Sequence, residues 1–117
     1  MAAPAELYGT SQTVSTTERS LPLNAAYAIG TPVTTPVYMS CFISILAMAA
    51  GDAFQFSIYE KPLTGSTQIR IGPIMYLYFP ETTLMLPALA FKWGWDITAL
   101  KLTGTDRVIE FSGRGYS

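Results

Sequence analysis

Five carboxylates stand where side chains could meet a substrate: Asp52, Glu60, Asp96, Asp106 and Glu110. Two of them about 5 to 10 Å apart would suffice for glycoside hydrolysis, one as the acid and the other as base or nucleophile. Each also has a plain structural reading. Asp52 and Asp106 stand in turns, where an aspartate bonds nearby backbone. Glu60 and Glu110 lie in strand-like stretches near Lys61 and Arg107, where surface or cross-strand pairs are expected. Asp96 follows Trp95 at the start of a hairpin. The chain has no histidine, which removes the commonest general base and excludes Ser-His-Asp and Cys-His arrangements. With no other mark of an active site, the structural readings are preferred and no enzyme is expected.

Metal and cofactor chemistry is expected to be absent as well. The carboxylates lack calcium-loop spacing. The glycines of "GTDRVIEFSGRG" lack the strand-to-helix setting of a phosphate loop. The one cysteine, Cys41, excludes an intramolecular disulfide and a multi-cysteine metal site. It lies in the apolar run "VYMSCFISILAM" and reads as a small buried hydrophobe.

Aromatic residues are the remaining candidates. Tyr76, Tyr78, Phe79, Phe91, Trp93 and Trp95 cluster in the second half of the chain. Exposed, such rings stack on sugars or on the bases of single-stranded nucleic acid. Buried, they fill a core or an interface, and that reading is preferred. If "KWGW" is extended, Trp93 and Trp95 share a face, so at least one ring packs inside. Tyr76, Tyr78, Phe91 and Trp93 are the expected partner contacts, because aromatic residues are enriched at protein interfaces.

The elements that would position these residues are short strands. Val37, Met39, Cys41, Ile43 and Ile45 alternate with Tyr38, Ser40 and Ser44; only Phe42 breaks the pattern. "MAAGD" then turns the chain into a strand over Ala53 to Lys61, with Phe54, Phe56 and Ile58 facing one way and Gln55, Ser57 and Tyr59 the other. After the "PLTGST" turn, Gln68 to Ile71 returns with Ile69 and Ile71 inside and Gln68 and Arg70 outside. "IMYLYF" follows the Gly72–Pro73 break as a separate strand, either buried on both sides or carrying aromatics outward. In "TTLMLPALAF", Pro87 implies an edge, a bulge or an interruption. Trp95 to Leu102 and Arg107 to Ser112 form a last hairpin around "TGTD". The two glycine-bounded hairpins resemble each other, although glycine turns recur for geometric reasons alone. Seven to eight short strands without helical period predict an all-β sandwich or barrel.

The length of 117 residues fits one domain. Residues 1–23, with the Ser/Thr-rich "TSQTVSTT", read as an extended arm or edge strand, and residues 24–117 as the domain proper. The chain is 50% apolar and 13% charged, about half the charged fraction usual in soluble domains. Such a surface predicts burial against partners, or a membrane. Val37 to Ala50 is too short for the ~20 residues of a spanning helix, and Ile71 to Phe91 is broken by Pro73, Pro80 and Pro87. Neither is expected to span. Seven basic and eight acidic residues, with no basic run, argue against capture of nucleic acid. "MAAPAELYGTSQ" has neither the basic nor the apolar region of a secretory signal, and the chain is expected to stay where it is made until carried out.

Two segments, "LAMAAGDAFQFSIYEKPLTGSTQ" (Leu46 to Gln68) and "GWDITALKLTGTDRVIEFSGR" (Gly94 to Arg114), resemble small virion structural proteins of tailed bacteriophages, of the capsid decoration or minor head type. The shared features are the "MAAGD" turn, a strand ending in "YEK", a "GST" turn, a "GWD" step and a "GTDR" turn before the last strand. The resemblance covers Leu46 to Gly72 and Gly94 to Arg114, and leaves the N-terminal 36 residues and "GPIMYLYFPETTLMLPALAFK" unanchored. It implies an antiparallel β-sandwich of jelly-roll type that binds the major capsid protein or other virion subunits, works as a homo-oligomer, and is assembled into the virion in the host cytoplasm. The N-terminal arm would then lie across a neighbour by strand addition. A carbohydrate-binding β-sandwich module on a phage tail or fibre, using the same aromatics, is the alternative.

Overall fold

In a strand with one buried face, apolar residues at every second position dictate which side turns inward. The computed structural model describes residues 5–116, apart from the side chains at positions 72–74, 88 and 116. Residues 1–4 of the expected arm, the terminal Ser117, and the side chains of Gly72–Pro73 and Ile74 therefore lie outside the described residues. The strands are β1 (Ala5–Val14), β2 (Arg19–Ser20), β3 (Ala25–Ala26), β4 (Val37–Ser44), β5 (Ala53–Glu60), β6 (Ile69–Tyr78), β7 (Thr83–Phe91), β8 (Trp95–Thr103) and β9 (Arg107–Tyr116). Seven are long and two are single two-residue pairings. No helix occurs among the described residues.

Two antiparallel sheets face each other, one in the order β1-β9-β4-β7 and the other β3-β2-β8-β5-β6. The pairs are nested: β1 with β9, β2 with β8, β4 with β7, and β5 with β6. The chain thus folds as one long two-stranded ribbon whose closed end is the β5–β6 hairpin. Rolling that ribbon adds the pairs β4–β9 and β5–β8. This nested order is the jelly roll.

The inner faces interdigitate as the alternation predicts. Met39, Cys41, Ile43, Ile109 and Phe111 of one sheet meet Phe54, Phe56, Leu77, Ile97 and Ala99 of the other, all buried. Trp95 closes one end of this core. Its ring stacks on Phe91 at 4.6 Å, meets Tyr8 in a T-shaped pair at 5.5 Å, and donates its Nε1–H to the Thr35 carbonyl. Phe42, out of place in the apolar pattern, lies on the outer face half-covered by the Arg114 guanidinium, 4.6 Å from the ring centroid. There a cation–π contact replaces core packing.

Four details differ from expectation. Trp95 to Leu102 and Arg107 to Ser112 form no hairpin: β8 pairs with β2 and β5 in one sheet and β9 with β1 and β4 in the other, so the "TGTD" turn carries the chain across the sandwich. The Gly72–Pro73 step does not divide two strands: β6 is continuous and bulged, with Phe56 opposite Met75 and Ile58 opposite Ile71. An edge strand tolerates this, because its outer N–H groups have no ladder to complete. Gln68 is buried and Ile69 half-exposed, the inverse of the expected order. The Gln68 amide is held inside by accepting from the Tyr27 hydroxyl at 2.8 Å and donating to the Gly94 carbonyl. Ser57 and Tyr59, expected on an open face, are buried by chain laid over them. In β7, Pro87 marks both an edge and a bulge, since Met39 faces Leu89 while Cys41 faces Leu86. The tract Ala5–Val14 pairs with β9 of its own chain along its length, bulged near Leu7.

Candidate functional site

The carboxylates are dispersed by the fold. Asp52 accepts from the Ala49 N–H at 2.8 Å, the Thr105 N–H at 3.0 Å and Arg107 Nε at 2.7 Å. The two backbone donors, aided by Arg107, hold its carboxyl at about 2, below the usual carboxylate range. Arg107 therefore pairs with Asp52 and not with Glu110. Glu60 accepts from the backbone N–H groups of Lys92 and Trp93, at 2.8 and 3.3 Å, and ties down the turn before β8. Asp106 pairs with Lys101 at 2.6 Å instead of bonding its own turn. Glu110 is exposed on the outer face of the four-stranded sheet.

Asp96 is the unusual one. It is fully buried on the outer side of β8, beneath the chain that runs through β2 and β3. Its Oδ1 accepts from the Ser20 hydroxyl at 2.6 Å and from the Ile97 N–H, while its Oδ2 has no protein partner. Burial pushes its carboxyl up to about 6, against those two hydrogen bonds, with the Glu18 charge adding to the rise. Glu18 was not among the sequence candidates, yet it organises this layer. Its Oε2 accepts from the Tyr59 and Thr98 hydroxyls. Tyr27 stacks on Tyr59 at 4.6 Å, and Arg70 donates to the Tyr59 hydroxyl at 3.1 Å. Two neighbouring carboxylates thus exist: Asp96 is buried with Ser20 and Thr98, and Glu18 is half-buried beside them. The layer fastens the β2–β3 segment to the sheet. Its only sequence signal is a run of polar residues at alternate positions in β5 and β8, which reads as an ordinary wet face.

The four aromatic residues expected at a partner surface do not form one patch. Tyr76 and Tyr78 project together from the outer face of β6, 47% and 54% exposed, with ring centroids 6.2 Å apart. Phe79, just beyond β6, and Met85 on β7 are also exposed. Trp93 is half-buried with Lys92 Nζ 5.0 Å from its ring centroid. It adjoins Glu60, whereas Tyr76 pairs with Gln55, five residues away along β5 or about 16 Å. Phe91 must be withdrawn from the surface set: it is 4% exposed, and its ring is committed to the Trp95 stack. Its place opposite Val37 on β4 turns it into the core.

A different concavity lies on the outer face of the four-stranded sheet. It measures about 470 Å³ and crosses β1, β9 and β4. Glu6, Gly9, Ser11, Phe42, Ser44, Glu110, Ser112 and Arg114 form its walls and floor. Ser112 donates to Glu6 Oε2 at 2.7 Å, and Arg114 Nε donates to Ser112 Oγ at 3.0 Å. Gly9 lets the Glu6 carboxylate lie against its backbone, because a methyl group there would meet that carboxylate and push it aside.

Among the described residues, no three His, Cys, Asp or Glu side chains converge as metal ligands, and no helix is long and apolar enough to cross a membrane. Fold and surface together define a jelly-roll β-sandwich with two open concave or aromatic faces. No protein-family model, curated protein or solved structure matches the chain.

Proposed function

We propose that this chain is a non-enzymatic structural subunit of a bacteriophage virion, a capsid decoration or minor head protein. It works by burying apolar surface against the major capsid protein, other virion subunits or further copies of itself. In this reading it is assembled into the virion in the host cytoplasm and needs no cofactor, nucleic acid or membrane. The observation that carries the proposal is the free edge formed by the consecutive strands β6 and β7. Each is the outermost strand of its sheet, and with the turn between them they expose Tyr76, Tyr78, Phe79 and Met85. Open strand edges bearing aromatic side chains favour association, and natural monomers usually blunt them with charge. Only 13% of this chain is charged. The carboxylates also support a non-catalytic role, since most of them are occupied in holding turns and segments together.

Light scattering across a concentration series, followed by co-sedimentation with undecorated phage heads, tests this reading. A closed oligomer, or a monomer that binds the heads, is the expected result, and Tyr76→Ser with Tyr78→Ser should weaken either association. A monomer that neither self-associates nor binds heads would overturn the proposal.

A further inference from the structure

The groove across β1, β9 and β4 is built from rows of chemically matched residues. Strand register places Ser11, Glu110 and Ser44 side by side in one row, and Gly9, Ser112 and Phe42 in the next. Glu6 and Arg114 face each other in the third. All of these point outward, opposite to the core positions Ile109 and Phe111. Neighbouring strands are about 4.8 Å apart, so each row sets hydroxyl and carboxylate groups at near-contact spacing across the groove. A serine hydroxyl both donates and accepts, and a carboxylate accepts from two hydroxyls at once. The Phe42 ring with Arg114 above it gives a flat, amphipathic wall in the same concavity.

Charge decides the class of ligand. An anion would meet two carboxylates, Glu6 and Glu110. A cation would meet Arg114, which the Ser112 hydroxyl holds in place. An uncharged molecule rich in hydroxyl groups satisfies both signs, and the volume of about 470 Å³ lies within the range of small-ligand sites. The groove is open along the sheet, so a chain of sugar rings can lie across it.

We propose that the outer face of the β1–β9–β4 sheet is a binding site for an uncharged oligosaccharide, with Glu6, Glu110, Ser11, Ser44 and Ser112 holding its hydroxyls and the Phe42–Arg114 layer taking an apolar ring face. This site is separate from Tyr76 and Tyr78 and does not depend on the virion reading. It gives the protein a second activity, recognition of a glycan, beside assembly.

The test is isothermal titration of the full chain with cellotetraose, maltotetraose, chitotetraose and mannotetraose. At least one should bind with a Kd at or below about 1 mM. Two variants probe the groove without touching the core. Glu110→Gln removes a carboxylate charge, and Gly9→Ala pushes the Glu6 carboxylate aside. Each should weaken binding about tenfold or more, whereas Tyr76→Ser should leave it unchanged. Circular dichroism confirms that each variant is folded. The proposal is overturned if no member of the panel binds at that level, or if binding survives both groove variants. Binding that Tyr76→Ser abolishes would equally refute it, by moving the site to β6.

Discussion

Asp52 and Arg107, 55 residues apart in the chain, meet at 2.7 Å between Oδ2 and Nε. Asp52 closes the "MAAGD" turn between β4 and β5, and Arg107 opens β9 where the chain leaves β8; both connections cross from one sheet to the other, so the contact ties two neighbouring corners of the sandwich together. The contact is reinforced by Thr103, whose hydroxyl donates to the Gly51 carbonyl, and by Gly104. That glycine sits at a φ of 94°, hard against the Asp52 side chain, where no larger residue would fit.

Removing the charge at this corner should weaken the fold in a pH-dependent way. A carboxyl held at about 2 contributes stability that is fully present above its ordinary value near 4 and is lost as pH falls through 2. Asp52→Asn is therefore expected to lower the melting temperature at pH 7 and to flatten the acid limb between about pH 4 and pH 2. Thermal melts followed by circular dichroism at both ends of that window check it.

Asp96 has the opposite sign. Its carboxyl is raised to about 6, so the folded state binds the proton more tightly than the unfolded chain does. Stability from this group is highest below about pH 4 and declines as pH rises toward 6, by up to about 3 kcal/mol. Urea midpoints measured between those pH values should fall, and Asp96→Asn should remove most of the slope. A midpoint that rises through that interval in the native protein alone would count against the burial argument.

The two kinds of aromatic residue should respond differently to truncation. Phe91→Ala removes a buried ring stacked on Trp95 and is expected to cost about 3–5 kcal/mol. Tyr76→Ser alters an exposed side chain and should stay within about 0.5 kcal/mol. Chemical denaturation of both variants measures the contrast.

Cys41 is fully buried in β4, and burial pushes its thiol up to about 12. Native protein at pH 8 should react with a disulfide reagent only at the rate of opening of the fold, and rapidly once unfolded in urea. Fast labelling without denaturant would mean that β4 opens locally.

How much of this was legible beforehand depends on the range of the interactions involved. The strand character of β4, β5, β8 and β9 is written locally, because alternating apolar residues can bury one face only as strands. The edge position of Pro87 follows from a missing N–H. The burial of Cys41 and of at least one tryptophan follows from their apolar neighbours. What lay beyond the sequence was every relation set by distant chain. Polar Ser57, Tyr59 and Asp96 read as a wet face until the segment around Glu18 and Tyr27 covers them. Phe91 reads as a contact residue until Trp95 takes its ring. The groove at Glu6, Glu110 and Arg114 arises only when β1 and β4 flank β9. The sequence by itself determined which residues alternate and where the chain turns, since sterics and solvation act over a few residues. The tertiary structure alone decided which outer faces are covered, because strand pairing joins residues a hundred positions apart and a period of two cannot name a partner.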